Sequence, residues 1–388
     1  MDYYTESLKR HQQSGGKLDV VPTMPVTNQE ELSLAYTPGI AEVSRAVADG
    51  RVAAADVVSS RRMVAVVTDG SAVLGLGDIG PAAALPVMEG KAALFKEFAD
   101  VTAFPIAINT QDVDEFVETV INIAPTFGGI NLEDIAAPRC FEIEERLIEA
   151  LDIPVFHDDQ HGTAIVVLAG LINALKVVGK ERSDIRVVIT GAGAAGTATA
   201  RLLHRYGVGE LVVTDSHGIL SLDREDLDPS KRRLLEITNQ NNISGSLRDA
   251  LTGADVFIGV SRGGILGAAD IQVMADQGIV FAMANPEPEI MPEEAVAGGA
   301  AIVATGRSDF PNQLNNVLVF PGIFRGAFDA GVQRITDDIK VAAAHALAAL
   351  VPVASAEQII PGPFTPGVAD AVAGAVQAVP VLDRVAAK

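Results

Sequence analysis

Four acidic residues stand as two adjacent pairs, Glu133-Asp134 and Asp158-Asp159, the second inside His157-Asp158-Asp159-Gln160-His161-Gly162-Thr163. Hard carboxylate oxygens grouped in this way suit Mg²⁺ or Mn²⁺. Adjacent acids are more often solvated surface or helix caps. Here the apolar run Ile153-Pro154-Val155-Phe156 leads directly into the second pair and argues for an inward position. A rival reading makes His157 and His161 zinc ligands, but no second motif of matching spacing accompanies them.

Lys91 carries its own argument. In Glu89-Gly90-Lys91-Ala92-Ala93-Leu94-Phe95-Lys96-Glu97-Phe98, a helix puts Lys91 on the same face as Leu94, Phe95 and Phe98, while Lys96 points to solvent. Desolvation lowers a lysine's proton affinity and fits it for general-base work. The alternative is a lysine snorkelling from the first helical turn. Tyr36, in Ala35-Tyr36-Thr37-Pro38-Gly39, sits at an expected turn, where a tyrosine usually packs with its hydroxyl wet.

Gly191-Ala192-Gly193-Ala194-Ala195-Gly196 is a G-x-G-x-x-G run that follows an expected strand, opens an expected helix and is followed by Asp215 at the end of the next strand. The glycines permit a tight turn and close backbone approach to a pyrophosphate at the helix N-terminus. Asp215 is placed to accept from an adenosine ribose, which favours NAD over NADP by charge repulsion. His217, Arg224 and Lys231 lie downstream and can offset that preference.

These residues need elements to hold them. In roughly residues 1–160, Met63–Thr68 and Pro105–Asn109 read as strands, Leu74–Asp78 as a tight loop or short strand, and Phe116–Ile123 and Phe141–Leu151 as helices. Beyond 160, strands at Ile185–Thr190, Leu211–Thr214, Asp255–Val260, Ile279–Ala284 and Ala301–Ala304 alternate with helical stretches such as Ala194–Tyr206. That alternation predicts a doubly wound parallel sheet of Rossmann type. The expected fold class is α/β. Residues 1–160 would form an N-terminal α/β substrate- and metal-binding domain. Residues 161–388 would form the NAD domain, with an alanine-rich helix at 335–351 and a proline-rich stretch that packs back over the body.

With 388 residues and 48% hydrophobic content, the chain suits two domains with sizeable cores. A formal net charge of −21 argues against nucleic acid and anionic membrane surfaces. Cys140 is the only cysteine, so no intrachain disulfide forms, which fits a reducing compartment. Met1 to Gln13 is polar, unlike a signal peptide, and the longest apolar run, Ala164–Leu175, is too short to span a bilayer. The expected location is the cytoplasm.

Taken together the motifs resemble the malic enzymes. The resemblance rests on Tyr36-Thr37-Pro38-Gly39, Thr68-Asp69-Gly70, Leu74-Gly75-Leu76-Gly77-Asp78, Glu89-Gly90-Lys91, Asn131-Leu132-Glu133-Asp134, Phe156 through Thr163, and Asn315-Asn316-Val317 to Phe320-Pro321-Gly322. It covers roughly residues 15 to 370, in the family's order, and is similar to the short bacterial form without a fused acetyltransferase-like domain. It implies NAD-dependent oxidative decarboxylation of (S)-malate to pyruvate and CO₂ with Mg²⁺ or Mn²⁺, and oxaloacetate decarboxylation beside it. Under the resemblance Glu133, Asp134 and Asp159 hold the metal. Lys91 takes the C2 hydroxyl proton, Asp158 tunes Lys91, and Tyr36 protonates C3. Gly191, Gly193, Ala194, Ala195 and Gly196 cradle the cofactor with Asp215. Asn285 contacts substrate and nicotinamide, as does Asn316. A homodimer is implied. One departure stands out: longer members carry an arginine two residues after the Asp-Gly of the first loop, and Ala72 stands here. A malolactic enzyme and a non-catalytic NAD-binding protein are the alternatives.

Overall fold

The structure, a computed structural model, describes residues 3–380; the outermost ends of the two expected domains, 1–2 and 381–388, lie outside the described residues. Two sheets organise the chain. The first is fully parallel with strand order β2-β1-β3-β4, where β1 is Met63–Thr68, β2 Thr102–Ala107, β3 Gly129–Leu132 and β4 Val155–His157. The second has order β10-β9-β8-β5-β6-β7, with β5 Arg186–Thr190, β6 Glu210–Asp215, β7 Gly218–Ile219, β8 Val256–Gly259, β9 Gly278–Ala282 and β10 Ala300–Thr305. All its ladders are parallel except the short β6–β7 pair. The strand order reverses at β5 and β8, which opens a crevice at their carboxyl ends, where open α/β sheets bind ligands.

The doubly wound expectation holds. β1 runs over the expected residues, and the helix Ala194–Tyr206 matches residue for residue. Three strands escaped the sequence reading, the two-residue β7 and, in the first sheet, β3 and β4. β3 and β4 are each very short and buried on both faces, so neither shows alternation. β2 begins three residues earlier than expected, at Thr102, because Pro105 lies inside it on the sheet's edge rather than opening it.

One helix joins the two sheets. Asp158–Val178 leaves β4 and carries an almost unbroken buried run from Ala164 to Leu175. It is long and apolar enough to cross a membrane by length and composition, and it is the core helix of this fold, 72% buried in its most apolar window. The principal core runs continuously from Val64, Val66 and Phe95 through this helix to Val187 and Ile189. The C-terminal helices Phe320–Ala330 and Val368–Ala378 complete it. Phe95 meets Phe320 at 4.7 Å and Phe324 at 5.4 Å between ring centroids, an edge-on cluster that locks the Lys91 helix, Pro81–Ala99, against the C-terminal segment. The helices before residue 58 contain no buried residue.

Candidate active site

The parallel register of β3 on β4 places Leu132 opposite His157. The residues that follow each, Glu133-Asp134 and Asp158-Asp159, therefore emerge side by side at the carboxyl edge of the first sheet. Glu133, Asp134 and Asp159 can each offer a carboxylate oxygen within 4.8 Å of the others. Asp134 is held at φ 54°, the left-handed region that costs a side-chain-bearing residue, although Asp tolerates it better than most. This turns its carboxyl into the cluster, where Asp134 Oδ2 is buried and has no hydrogen-bond partner.

Lys91 reaches the same edge from its helix. Its ammonium lies 2.5 Å from Asp158 Oδ2 and 2.9 Å from Glu133 Oε1, and 4.3 Å from the centre of the Phe320 ring. It is 8% exposed, so the helical-face reading holds, with Lys96 on the solvent side. The electrostatic expectation is corrected. Burial alone would lower Lys91, but Asp158, Glu133 and Asp159 outweigh it and hold the ammonium above the ordinary lysine range. The sequence argument counted the apolar face and not the carboxylates that the sheet edge brings to it.

The acids respond in kind. Burial, then the neighbouring Asp159, pushes Asp134 up to about 8. Burial likewise raises Glu133 well above the usual carboxylate range against the pull of Lys91, and raises Asp158. Carboxylates crowded and desolvated to this degree, with an unpartnered oxygen among them, fit a divalent cation.

Asp158 is enclosed further. Its Oδ1 has no partner, and a Cβ on Gly162 would lie 1.9 Å from that oxygen and 3.0 Å from Asn316 Cβ. Gly162 is therefore required one helical turn beyond Asp158, and Asn316, half-buried, stands next to both. Asn131 donates to Glu133 Oε2 at 2.9 Å. Glu144, buried on the helix Arg139–Ala150, accepts from His157 N, Gln160 Nε2 and His161 Nε2 at 2.9 to 3.0 Å. The zinc reading loses its ground, because the His161 ring is committed to Glu144. Gly162, Asn131, Glu144 and Phe320 were not singled out from the sequence. Gly162, Asn131 and Phe320 stand inside the motifs quoted above without a role assigned to them; Glu144 alone stands outside every motif.

At Ala72 the backbone N–H donates to Asp134 O at 2.9 Å. The guanidinium beside this loop comes from Arg139 instead, bound to Asp69 Oδ2 at 2.9 Å, Ser71 Oγ at 3.0 Å and Gln111 O at 2.8 Å. It is thereby committed to holding the loop. Tyr36 stands apart from the cluster, 67% exposed on an N-terminal segment.

The glycine run lies at the crevice of the second sheet. Gly191 adopts φ 110°, and a Cβ there would meet Val260 O at 2.5 Å; one on Gly196 would meet Gly191 O at 1.7 Å. Gly193 instead faces open space and caps the helix Ala194–Tyr206 without a side-chain bond, which leaves N–H groups free for a phosphate. These features fit a dinucleotide. Gly191 N donates to Thr214 O at 2.9 Å, so Asp215 is the neighbour of the turn. Its carboxylate takes Arg224 Nη1 at 2.8 Å, Arg224 Nη2 at 3.1 Å, Lys231 Nζ at 2.8 Å and His217 N at 2.9 Å. Burial would raise Asp215, but these donors hold it at about 2. Asn285 links the two sheets' loops: its carbonyl oxygen would be 3.2 Å from a Cβ on Gly75, and its Nδ2 3.0 Å from one on Gly306.

A dinucleotide crevice, joined through Asn285 to the loops of the first sheet, together with an acid-and-lysine cluster defines a nicotinamide-dependent dehydrogenase. Comparison with known proteins narrows the class. Residues 15–148 match the pattern "Malic enzyme, N-terminal domain" and residues 160–379 "Malic enzyme, NAD binding domain". The chain is 56% identical to a bifunctional malic/malolactic enzyme of Bacillus subtilis over 97% of its own length and 92% of that protein's. It is also 56% identical to an NAD-dependent malic enzyme of Geobacillus stearothermophilus, over 87% and 70% of the respective lengths. A crystal structure of an NAD-dependent malic enzyme from Thermotoga maritima superposes with a TM-score of 0.93 at 47% identity, covering 96% of this chain and 99% of that one. The chain belongs to the malic enzyme family, and it is an NAD- or NADP-dependent decarboxylating oxidoreductase.

Proposed function

We propose that this chain oxidatively decarboxylates (S)-malate to pyruvate and CO₂ with reduction of NAD⁺, using Mg²⁺ or Mn²⁺ held by Glu133, Asp134 and Asp159. The observation that carries this reading is the convergence of three carboxylates within 4.8 Å, with Lys91 bonded to Glu133 and Asp158 at their edge. When bound, a nicotinamide would supply the hydride acceptor and a divalent ion a Lewis acid for the substrate's oxygens.

The chain's own groups do the rest. With a cation on Glu133, Asp134 and Asp159 offsetting the carboxylates that hold its ammonium, Lys91 would stand as the neutral amine and take the C2 hydroxyl proton as the C2 hydride departs. Asp158, bonded to its ammonium, aims the amine and holds the proton's charge. The C3–C4 bond of the resulting 2-oxo acid then breaks, CO₂ leaves and the electron pair stays as the enolate; added oxaloacetate would enter at this stage. Tyr36 is assigned as the proton donor to C3; exposed on the N-terminal segment, it must be brought to the cluster when a second copy covers that segment. Asn285 and Asn316 orient the substrate and nicotinamide between the two sheets.

Gly191, Gly193, Ala194, Ala195 and Gly196 cradle the pyrophosphate, and Asp215 reads the ribose. Because Arg224 and Lys231 neutralise Asp215, repulsion of a 2′-phosphate is weakened, and NADP is accepted beside NAD. We divide the chain into residues 1–160 for substrate and metal and 161–388 for the cofactor. The apolar side chains exposed before residue 58, among them Tyr3, Leu8, Val20, Met24, Leu34 and Tyr36, support a homodimer that covers them. With a single cysteine, buried and unpaired, the assigned location is the cytoplasm.

Likeness to a bifunctional malic/malolactic enzyme supports a second reading, in which lactate is released and NAD is not reduced overall. Absorbance at the reduced-nicotinamide band with malate and Mn²⁺, followed by product analysis, tests both. Reduced cofactor and pyruvate in equal amounts support the first reading; lactate without reduced cofactor supports the second.

A further inference from the structure

Beside the carboxylate cluster lies an imidazole that the mechanism above does not use. His157 ends β4, is 0% exposed, and neither ring nitrogen has a hydrogen-bond partner. An unpartnered polar ring in a dry core is costly, and an apolar side chain would fill the same space without that cost. Its backbone is fixed from two sides. The strand pairs it with Leu132, and its N–H donates to Glu144 Oε1 at 3.0 Å. Glu144 is in turn held by Gln160 and His161.

The ring faces Asp159. His157 Nδ1 is 3.8 Å from Asp159 Oδ2, beyond hydrogen-bond length but within reach of a small rotation of an aspartate side chain that is 31% exposed. The same Oδ2 already accepts Asp134 N at 2.8 Å. Asp159 is also the carboxylate of the three with the least burial. Glu133 is steadied by Asn131 and Lys91, and Asp134 by its burial. Asp159, the least buried of the three, is held by the Asp134 backbone N–H alone.

We propose that His157 is a positioning residue for the metal site. Its Nδ1–H donates to Asp159 Oδ2 and fixes the carboxylate plane. With Asp134 N and His157 Nδ1 both on Oδ2, Asp159 Oδ1 is left as the ligand atom. The inference rests on the assignment of Glu133, Asp134 and Asp159 to a divalent cation. Hydrogen-bonded partners behind metal ligands typically change metal affinity by roughly 10–100-fold when removed.

The test titrates Mn²⁺ alone into the full-length chain, without substrate or nicotinamide, and follows free Mn²⁺ by electron paramagnetic resonance. His157→Leu, which removes the donor, is expected to weaken binding by roughly 10–100-fold. His157→Asn, whose side-chain N–H stands near the place of Nδ1, is expected to keep most of the affinity. A merely structural role predicts equal binding for all three proteins once each is shown to be folded, and that result overturns the proposal. Asp159→Asn separates the two levels: if the wild type binds no Mn²⁺, or Asp159→Asn binds as well as the wild type, the metal assignment itself falls. Should His157→Leu fail to fold, nitrogen-15 resonances of the wild-type histidines with Mg²⁺ decide the matter. The Nδ1–H tautomer is expected at His157, and the Nε2–H tautomer overturns the proposal.

Discussion

At the scale of single residues, the two proton carriers are separable. Lys91→Ala removes the base and should slow hydride transfer from malate by roughly 10²–10⁴-fold, read as single-turnover formation of reduced cofactor. Tyr36→Phe keeps the ring and should slow chiefly the protonation of C3. That step is followed as metal-dependent exchange of pyruvate's methyl hydrogens in heavy water, and wild-type exchange in Tyr36→Phe would remove this residue from the mechanism. Gly162→Ala tests the enclosure of Asp158. Its methyl would sit 1.9 Å from Asp158 Oδ1, so Asp158 must move and carry Lys91 with it. A displacement on the order of 1 Å is enough for a loss of about 10²-fold in turnover, and full activity in a folded Gly162→Ala would contradict the geometry described here. Most of the charged members of the cluster were legible from sequence, because carboxylate pairs and a lysine on an apolar face leave a chemical pattern. Glu144 and Asn131 were not, since each is an ordinary polar residue until strand pairing shows what it faces. The Lys91 electrostatics were misread for the same reason.

At the scale of elements, the corner between β4 and the helix Asp158–Val178 carries the site, and Glu144 holds that corner. Burial alone would raise Glu144, but the charge and hydrogen bond of His161 outweigh it and keep the carboxyl at about 2. Burial in turn lowers His161 against the pull of Glu144. A folded value below the unfolded one means that the ionised carboxylate stabilises the fold above about pH 4.3, and that this stability fades as pH falls toward 2. The contribution is on the order of 3 kcal/mol. Denaturant unfolding at pH 6 and at pH 3 should therefore show the wild type well above Glu144→Gln at the higher pH and much closer to it at the lower. A gap independent of pH would mean that the ionised form is not what holds the corner. The second sheet's elements were the easier to read, since β-branched runs alternate with helices and most of its βα turns are marked by glycine or aspartate. In the first sheet, β3 and β4 have four and three residues, all buried, and offer no periodicity.

At the scale of the whole molecule, metal binding and folding are linked through one continuous core. The carboxylates sit on the first sheet, yet their helix is packed among the C-terminal helices and the second sheet. Mn²⁺ at 100 times its dissociation constant should stabilise the chain by about 2.7 kcal/mol, seen as a rise in the denaturant midpoint that Asp159→Asn abolishes. A gain that persists in Asp159→Asn would place the ion elsewhere. Sequence alone could not show this continuity, because contacts between Phe95 and Phe320 or Phe324 join residues more than 200 positions apart. The central claim is that the carboxylate–lysine edge turns malate into pyruvate with a divalent metal and a nicotinamide. It is tested most directly by incubating the chain with (S)-malate, Mn²⁺ and NAD⁺, and quantifying reduced cofactor, pyruvate, lactate and CO₂ together, with and without excess chelator. Reduced cofactor, pyruvate and CO₂ in equal amounts, all lost with chelator, is the predicted result. Lactate in place of pyruvate, or turnover undiminished in chelator, would contradict it.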